Sequence, residues 1–156
     1  MKEINLSRGM TALVDDEDFE YLNQFKWYAH KDYNTFYASR AAHSKQIKMH
    51  RIIMKTPSGM ETDHIDGNGL NNQKSNLRIC TNSQNLMNSG KRKDNTSGFK
   101  GVRRHKKVKK WEARIGVDGK KKYLGLHITP EAAARAYDEA AQKYYGEFAN
   151  VNFKGE

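Results

Sequence analysis

With 156 residues and a net charge of +10, the chain has room for one ordinary domain or two small ones, neither able to bury much apolar surface, and an anionic partner is favoured. No stretch approaches the roughly 20 apolar residues that span a bilayer, and Met1 to Leu6 lacks the apolar run and cleavage site of an export signal, so a soluble, unexported protein is expected. The single cysteine, Cys80, excludes an internal disulfide and a CxxC zinc knuckle, and reads as a small apolar residue on a buried strand face.

In chain order, Thr11–Val14, Phe36–Ser39 and Gln46–Met49 alternate apolar with polar residues and predict short strands. A helix is expected around Asp18 to Phe25, and another over Met49 to Met54. Phe19, Tyr21, Phe25, Trp27 and Tyr37 are the expected aromatic filling of this small sheet. Glu61–Ile65 and Leu77–Cys80 predict two strands separated by a long polar loop, and Asn82–Asn88 a helix after them. Gly90 to Gly98 has no apolar anchor and reads as a basic linker.

Beyond it, Gly101–Arg103, Trp111–Val117 and Lys122–Gly125 predict an antiparallel meander, its last two strands joined at an Asp118-Gly119 turn. Thr129 as N-cap, Pro130 in the first turn and Glu131 at the positive end of the dipole open a helix that Gly146 ends. Ala133, Ala136, Tyr137, Ala140, Ala141 and Tyr144 recur at helical spacing, a stripe of mostly small side chains that lets the helix lie close to a sheet.

The charge is unevenly placed. From Lys91 to Tyr123 there are 14 Lys and Arg against 3 Asp and Glu, so this segment carries +11 and the rest of the chain −1. Arg103, Arg104, Lys109, Lys110, Arg114, Lys121 and Lys122 lie on or beside predicted strands, alternating with Val102, Trp111, Ile115 and Leu124. One face of such a sheet can pack on the helix while the other presents cations to the major groove and its flanking phosphates.

Chemistry concentrates in Asp63-His-Ile-Asp-Gly-Asn68, followed by Asn71-Asn72, Asn76-Leu-Arg78 and Gln84-Asn85. An adjacent carboxylate and imidazole at a strand end can divide labour, one holding a hard cation and the other taking a proton from water, which are the two needs of phosphodiester hydrolysis. A further oxygen ligand is required, and Asn85 on the following helix is a candidate if that helix packs across the hairpin. Asn68, Asn71 and Asn72 read as loop scaffold through Asx-turns. His30, His43 and His127 lack comparable context and read as surface or packing residues.

From about Ile4 to Asn88 the sequence resembles the HNH nucleases, in the phage and intron-encoded homing branch whose third motif position is Asn. The resemblance implies a β-hairpin and one helix clamped by a metal. It assigns the general base to His64 and metal ligands to Asp63 and Asn85. Asn76 would brace the loop and orient the base. His50-Arg51 matches a pair that precedes the motif in this branch, with a phosphate contact expected from Arg51. From about Ser97 to Phe153, Gly98-Phe-Lys-Gly-Val-Arg103, Trp111–Ile115, Tyr123-Leu-Gly125 and the Ala-rich helix resemble the apetala/ethylene-response-factor DNA-binding domain, a three-stranded sheet on one helix. By that resemblance Arg103, Lys100 and Tyr123 are DNA contacts. The Trp expected near Lys107 is absent, and Arg114 and Gly116 replace a Glu and an Arg, so the plant target site does not carry over.

The expectation is therefore an α+β chain. Residues 1–89 would form a nuclease domain with a ββα-metal core at 61–89, residues 90–97 a basic linker, and residues 98–153 a DNA-binding domain contacting DNA through Lys100, Arg103, Arg104, Arg114, Lys121, Lys122 and Tyr123. The expected activity is Mg²⁺-dependent, homing-type cleavage of double-stranded DNA by a cytoplasmic monomer in a bacterial or phage-infected cell. The alternative is a non-enzymatic DNA-binding regulator that keeps the nuclease fold as an inactive scaffold. RNA binding fits less well, because the aromatic side chains are needed for packing.

Overall fold

Ile4 lies opposite Ala12 across two short antiparallel strands, β1 (Lys2–Asn5) and β2 (Thr11–Val14), and both side chains are buried. This pair opens the first of two units, Met1–Asn85 and Leu86–Glu156, in a computed structural model that describes residues 1–32, 35–42 and 44–155. His43 lies outside the described residues. The fold is α+β, and among the described residues no helix is long and apolar enough to cross a membrane.

In the first unit, helix α1 (Asp16–Leu22) starts two residues before its expected position. Three antiparallel strands follow, β3 (Tyr28–Asp32), β4 (Thr35–Ala42) and β5 (Lys45–Lys48), and then helix α2 (Met49–Ile53). Strands β1 and β3 were not anticipated: the first is four residues long, and the second, Tyr-Ala-His-Lys-Asp, is stabilised chiefly by pairing with β4. The core joins Ile4, Leu6, Val14, Leu22, Trp27, Met49, Ile53 and Leu77. Trp27 is buried with its indole N–H on the Leu22 carbonyl at 2.8 Å, whereas Tyr21, expected in the filling, is 52% exposed and only edges the Phe25 ring. A helix offers one face to the core, and Leu22 rather than Tyr21 occupies it.

The hairpin of β6 (Glu61–His64) and β7 (Leu77–Cys80) completes the unit, with Cys80 buried on β7 as expected. Its long loop is clamped to β2: Leu13 donates its N–H to the Leu70 carbonyl at 2.9 Å and accepts from Asn72 N–H at 2.8 Å. Asp15 precedes α1, yet its carboxylate serves the loop, taking Lys74 N–H at 2.8 Å and Gln73 Nε2 at 3.3 Å. Helix α3 (Asn82–Asn88) follows, its Asn85 being the last residue of the first unit.

In the second unit, β8 (Val102–Arg104), β9 (Trp111–Val117) and β10 (Lys120–His127) form an antiparallel sheet in the order β10-β9-β8. Asp118 and Gly119 both take positive φ, 50° and 71°, the conformation a two-residue hairpin turn requires. Helix α4 (Pro130–Tyr145) is capped by Thr129, which accepts Ala132 N–H at 3.2 Å. Ala133, Ala134, Tyr137, Ala140 and Ala141 are its buried apolar residues. Tyr144, expected in that stripe, is 38% exposed, and its neighbour Tyr145 packs on the core and donates to the Gly116 carbonyl at 2.5 Å. The segment after α3 also belongs to this unit: Asn95 Nδ2 donates to the Phe99 carbonyl at 2.7 Å, and Ser97 Oγ to the Val102 carbonyl at 2.8 Å. Polar side chains thus do the anchoring that apolar ones do elsewhere.

Candidate functional site

Antiparallel register sets Asp63 opposite Arg78 across the β6–β7 hairpin. The guanidinium donates to Asp63 Oδ2 through Nε at 2.9 Å and Nη2 at 2.7 Å, with both side chains largely buried, so the carboxylate is held in a fixed pose beside a permanent cation. His64, next along β6, is 5% exposed, and its Nε2 lies 3.3 Å from Asn72 Oδ1. A carbonyl oxygen only accepts, so this contact puts the ring proton on Nε2 and the lone pair on Nδ1. Burial holds the His64 pKa below the ordinary imidazole value, against the raising effects of the Asn72 bond and of Asp66 and Asp63. The ring is therefore neutral near pH 7.

Asn76 sits at the loop's end, just before β7, and closes the loop on itself. It accepts Asp66 N–H at 3.1 Å through Oδ1 and donates through Nδ2 to Asp66 Oδ1 and to the Asn71 carbonyl, both at 2.9 Å. Asp66 also takes Asn68 N–H and Asn71 Nδ2; burial opposes its ionisation, but these donors together hold its carboxyl below the usual range. Asn68 accepts Leu70 N–H at 3.1 Å in the expected Asx-turn manner. Gly69 has no room for a side chain: a Cβ there would lie 2.4 Å from the Phe36 carbonyl and 2.6 Å from the Tyr37 ring, so the loop lies flush on β4.

Three contributors to this site were not read from the sequence as such. Asn72, which by sequence reads as loop scaffold, is fully buried against His64. His50 from α2 meets the His64 ring edge-on at 4.9 Å between centroids, and Tyr37 from β4 lies 5.4 Å from His50 and 5.7 Å from His64. Burial first, then repulsion by His64 once it is protonated and by the cations Lys48 and Arg51, drives the His50 pKa down to about 2. The only available signal was the His50-Arg51 pair ahead of the motif; Tyr37 carried none.

The remaining candidate residues of this unit diverge. Asn85 is half-buried on α3, and its side-chain amide makes no hydrogen bond among the described residues. Arg51 rests its guanidinium on the chain's own backbone: Nη1 donates to the Met60 carbonyl at 2.9 Å and Nη2 to the Pro57 carbonyl at 3.4 Å, with Glu61 alongside. Among the described residues, no group of three or more His, Cys, Asp or Glu is placed to hold a metal. What remains is a carboxylate oxygen of Asp63 and an amide oxygen of Asn85, donors that suit a hard divalent cation completing its shell with phosphate oxygens and water.

The second unit sorts the basic candidates by face. Trp111, Ala113, Ile115 and Val117 of β9 point to α4, so Glu112 and Arg114 point away from it. Register then sets Arg103, Lys121 and Tyr123 on that outer face, opposite Glu112, Gly116 and Arg114 respectively. Arg104 and Lys122 are displaced from the set: Arg104 lies over the Trp111 ring at 5.0 Å and Lys122 over the Tyr144 ring at 4.8 Å. Lys100 turns inward as well, its ammonium donating to the Met87 carbonyl at 2.6 Å, and burial lowers its pKa to about 8 against the raising effect of Asp138. His30 and His127 contribute to neither set; His127 Nε2 lies 3.4 Å from the Leu124 carbonyl.

Comparison with known proteins agrees with this division. The family profile described as HNH endonuclease matches residues 48–87, and that of the AP2 domain matches residues 97–147. An uncharacterized HNH endonuclease of Acanthamoeba polyphaga mimivirus is 33% identical over 152 residues, spanning 93% of this chain and 76% of the relative. Protein 3.8 of Escherichia phage T7 is 34% identical over 93 residues, covering 60% of this chain and 76% of that protein. An AP2-like ethylene-responsive transcription factor of Arabidopsis thaliana is 45% identical over 58 residues, 37% of this chain but only 12% of the relative. From its Asp63-His64 hairpin and from a relative matched over 93% of this chain, this chain belongs to the HNH endonuclease family, with an AP2 domain in its second half.

Proposed function

We propose that this chain is a homing-type endonuclease that hydrolyses a phosphodiester of double-stranded DNA, with the AP2 unit selecting the sequence. The observation that carries it is the buried, neutral imidazole of His64, next along the same strand to the Arg78-paired carboxylate of Asp63. Nδ1 of His64 accepts the proton of the attacking water, while Asn72 on Nε2 fixes the tautomer and ring orientation. Asn76 keeps the loop bearing Asn72 closed by tying Asp66 to Asn71. Asp63 and Asn85 would hold a divalent cation, Mg²⁺ by the hardness of their oxygens, which would offset the charge on the departing 3′ oxygen. By family resemblance the products carry 5′-phosphate and 3′-hydroxyl ends. The protein acts as a monomer in the cytoplasm of a bacterial or phage-infected cell.

Incubating supercoiled plasmid carrying a library of inserts with the purified chain and Mg²⁺ is expected to yield nicked or linear DNA. His64→Ala should abolish this while leaving DNA binding nearly unchanged. Intact plasmid with both proteins, across several divalent ions and inserts, would refute the nuclease reading in favour of a DNA-binding regulator.

A further inference from the structure

We infer that Glu112 is a positioning residue for sequence reading, its buried carboxylate holding Arg103 and Arg114 as a preset pair of guanidinium groups on the outer face of the β8–β9–β10 sheet. This rests on the proposed DNA-binding role of the second unit.

Glu112 is 1% exposed, on the sheet face that points away from α4. Arg103 lies directly across from it on β8, its Nη2 at 3.3 Å from Oε1 and 3.1 Å from Oε2. Arg114, two residues further along β9 on the same face, donates through Nε to Oε1. One carboxylate thus collects two arginines from adjacent strands. Their side chains nevertheless remain 58% and 41% exposed, and among the described residues each gives Glu112 a single nitrogen. A guanidinium has five N–H donors in a rigid fork, so most of that capacity is left for a ligand. Tyr123 lies opposite Arg114 and Leu126 opposite Glu112, flanking the pair with partly exposed apolar surface.

A buried acid is an unfavourable choice for a surface that only has to attract phosphates, since it repels the polyanion and loses hydration. What it supplies is order. An arginine free in solvent loses rotamer freedom on docking, whereas one already held by a carboxylate presents its fork at a set place and angle. A fork so placed matches the O6 and N7 acceptors of guanine, a contact that discriminates between bases, which a phosphate contact does not. Arg104 and Lys122 lie over aromatic rings on the other side of the sheet, and among the described residues neither is held by a carboxylate.

Charge and positioning make opposite predictions. If Glu112 is merely a nearby negative charge, Glu112→Gln strengthens binding to every DNA and leaves any preference intact. If it positions the arginines, Glu112→Gln loses preference while affinity for unrelated DNA stays level or rises. The full-length chain, without divalent cation, is used to enrich a random duplex pool. Affinities for an enriched duplex and its scrambled counterpart are then measured by gel shift for wild type and Glu112→Gln. A fall in the enriched-to-scrambled ratio of about tenfold or more is expected. Retention of the ratio overturns the inference, and so does wild-type binding with no enrichment. Should Glu112→Gln fail to fold, as judged by Trp111 fluorescence, Arg103→Lys and Arg114→Lys keep the charges and lose the forks. Each must then lower the ratio with little change in scrambled-duplex affinity, and an unchanged ratio refutes the positioning role. Absence of any DNA binding by wild type instead removes the DNA-binding reading itself.

Discussion

Replacing His50 by Gln should remove much of the acid sensitivity of the first unit. His50 is 4% exposed and faces His64 of β6, Tyr37 of β4, and the charges of Lys48 and Arg51 on β5 and α2; its Nδ1 has no hydrogen-bond partner among the described residues. In the folded unit its pKa is lowered from 6.5 to about 2, so the unfolded chain takes up a proton that the folded chain refuses. A depressed histidine pKa leaves stability intact above the unfolded value and erodes it as pH falls through the window down to the folded value. Well below pH 6.5 the loss is about 1.4 kcal/mol per pH unit, so His50 alone removes about 2 kcal/mol between about pH 7 and pH 5. The assay is urea unfolding at stepped pH in a Trp111→Phe background, where Trp27 alone reports on the first unit. His50→Gln should flatten the profile by about that amount, leaving the smaller slope due to His64, which burial shifts in the same direction. Parallel loss of stability in wild type and variant over this range would refute the reasoning.

Gly101→Ala should destabilise the second unit by about 2–4 kcal/mol, because the residue has a φ of 77° and its Cβ would lie 2.0 Å from the Tyr137 ring; thermal melting followed by Trp111 fluorescence measures it. Arg78→Met leaves the Asp63 carboxylate buried without its cation and should cost the first unit about 3 kcal/mol by the same Trp27 assay, whereas a surface replacement such as Lys26→Met should be near neutral. Thr129→Ala removes the acceptor for Ala132 N–H and should lower the stability of the second unit by about 1 kcal/mol, with Thr129→Ser restoring it. Lys121→Ala, on the outer face, should reduce the salt dependence of DNA binding by about one phosphate contact, and Lys100→Met, whose ammonium is already spent on the Met87 carbonyl, should leave that slope unchanged in a salt titration.

The sequence by itself determined the elements whose signals are local. The hairpin, α3, the meander and α4 were all legible, because alternation, turn residues and caps act over a few neighbours. Asp63 and His64 were legible as chemistry for the same reason, as adjacent residues at a strand end. The tertiary structure decided what depends on residues far apart in the chain. It brought His50 and Tyr37 against His64, turned Lys100 and Arg51 onto backbone carbonyls, and set Tyr145 rather than Tyr144 against the sheet. It also buried Glu112 between two arginines that alternation alone would leave as separate surface charges. A long cationic side chain has many rotamers of similar energy, and which of them is populated depends on the carbonyl, ring or carboxylate that packing delivers to it, which no local pattern encodes.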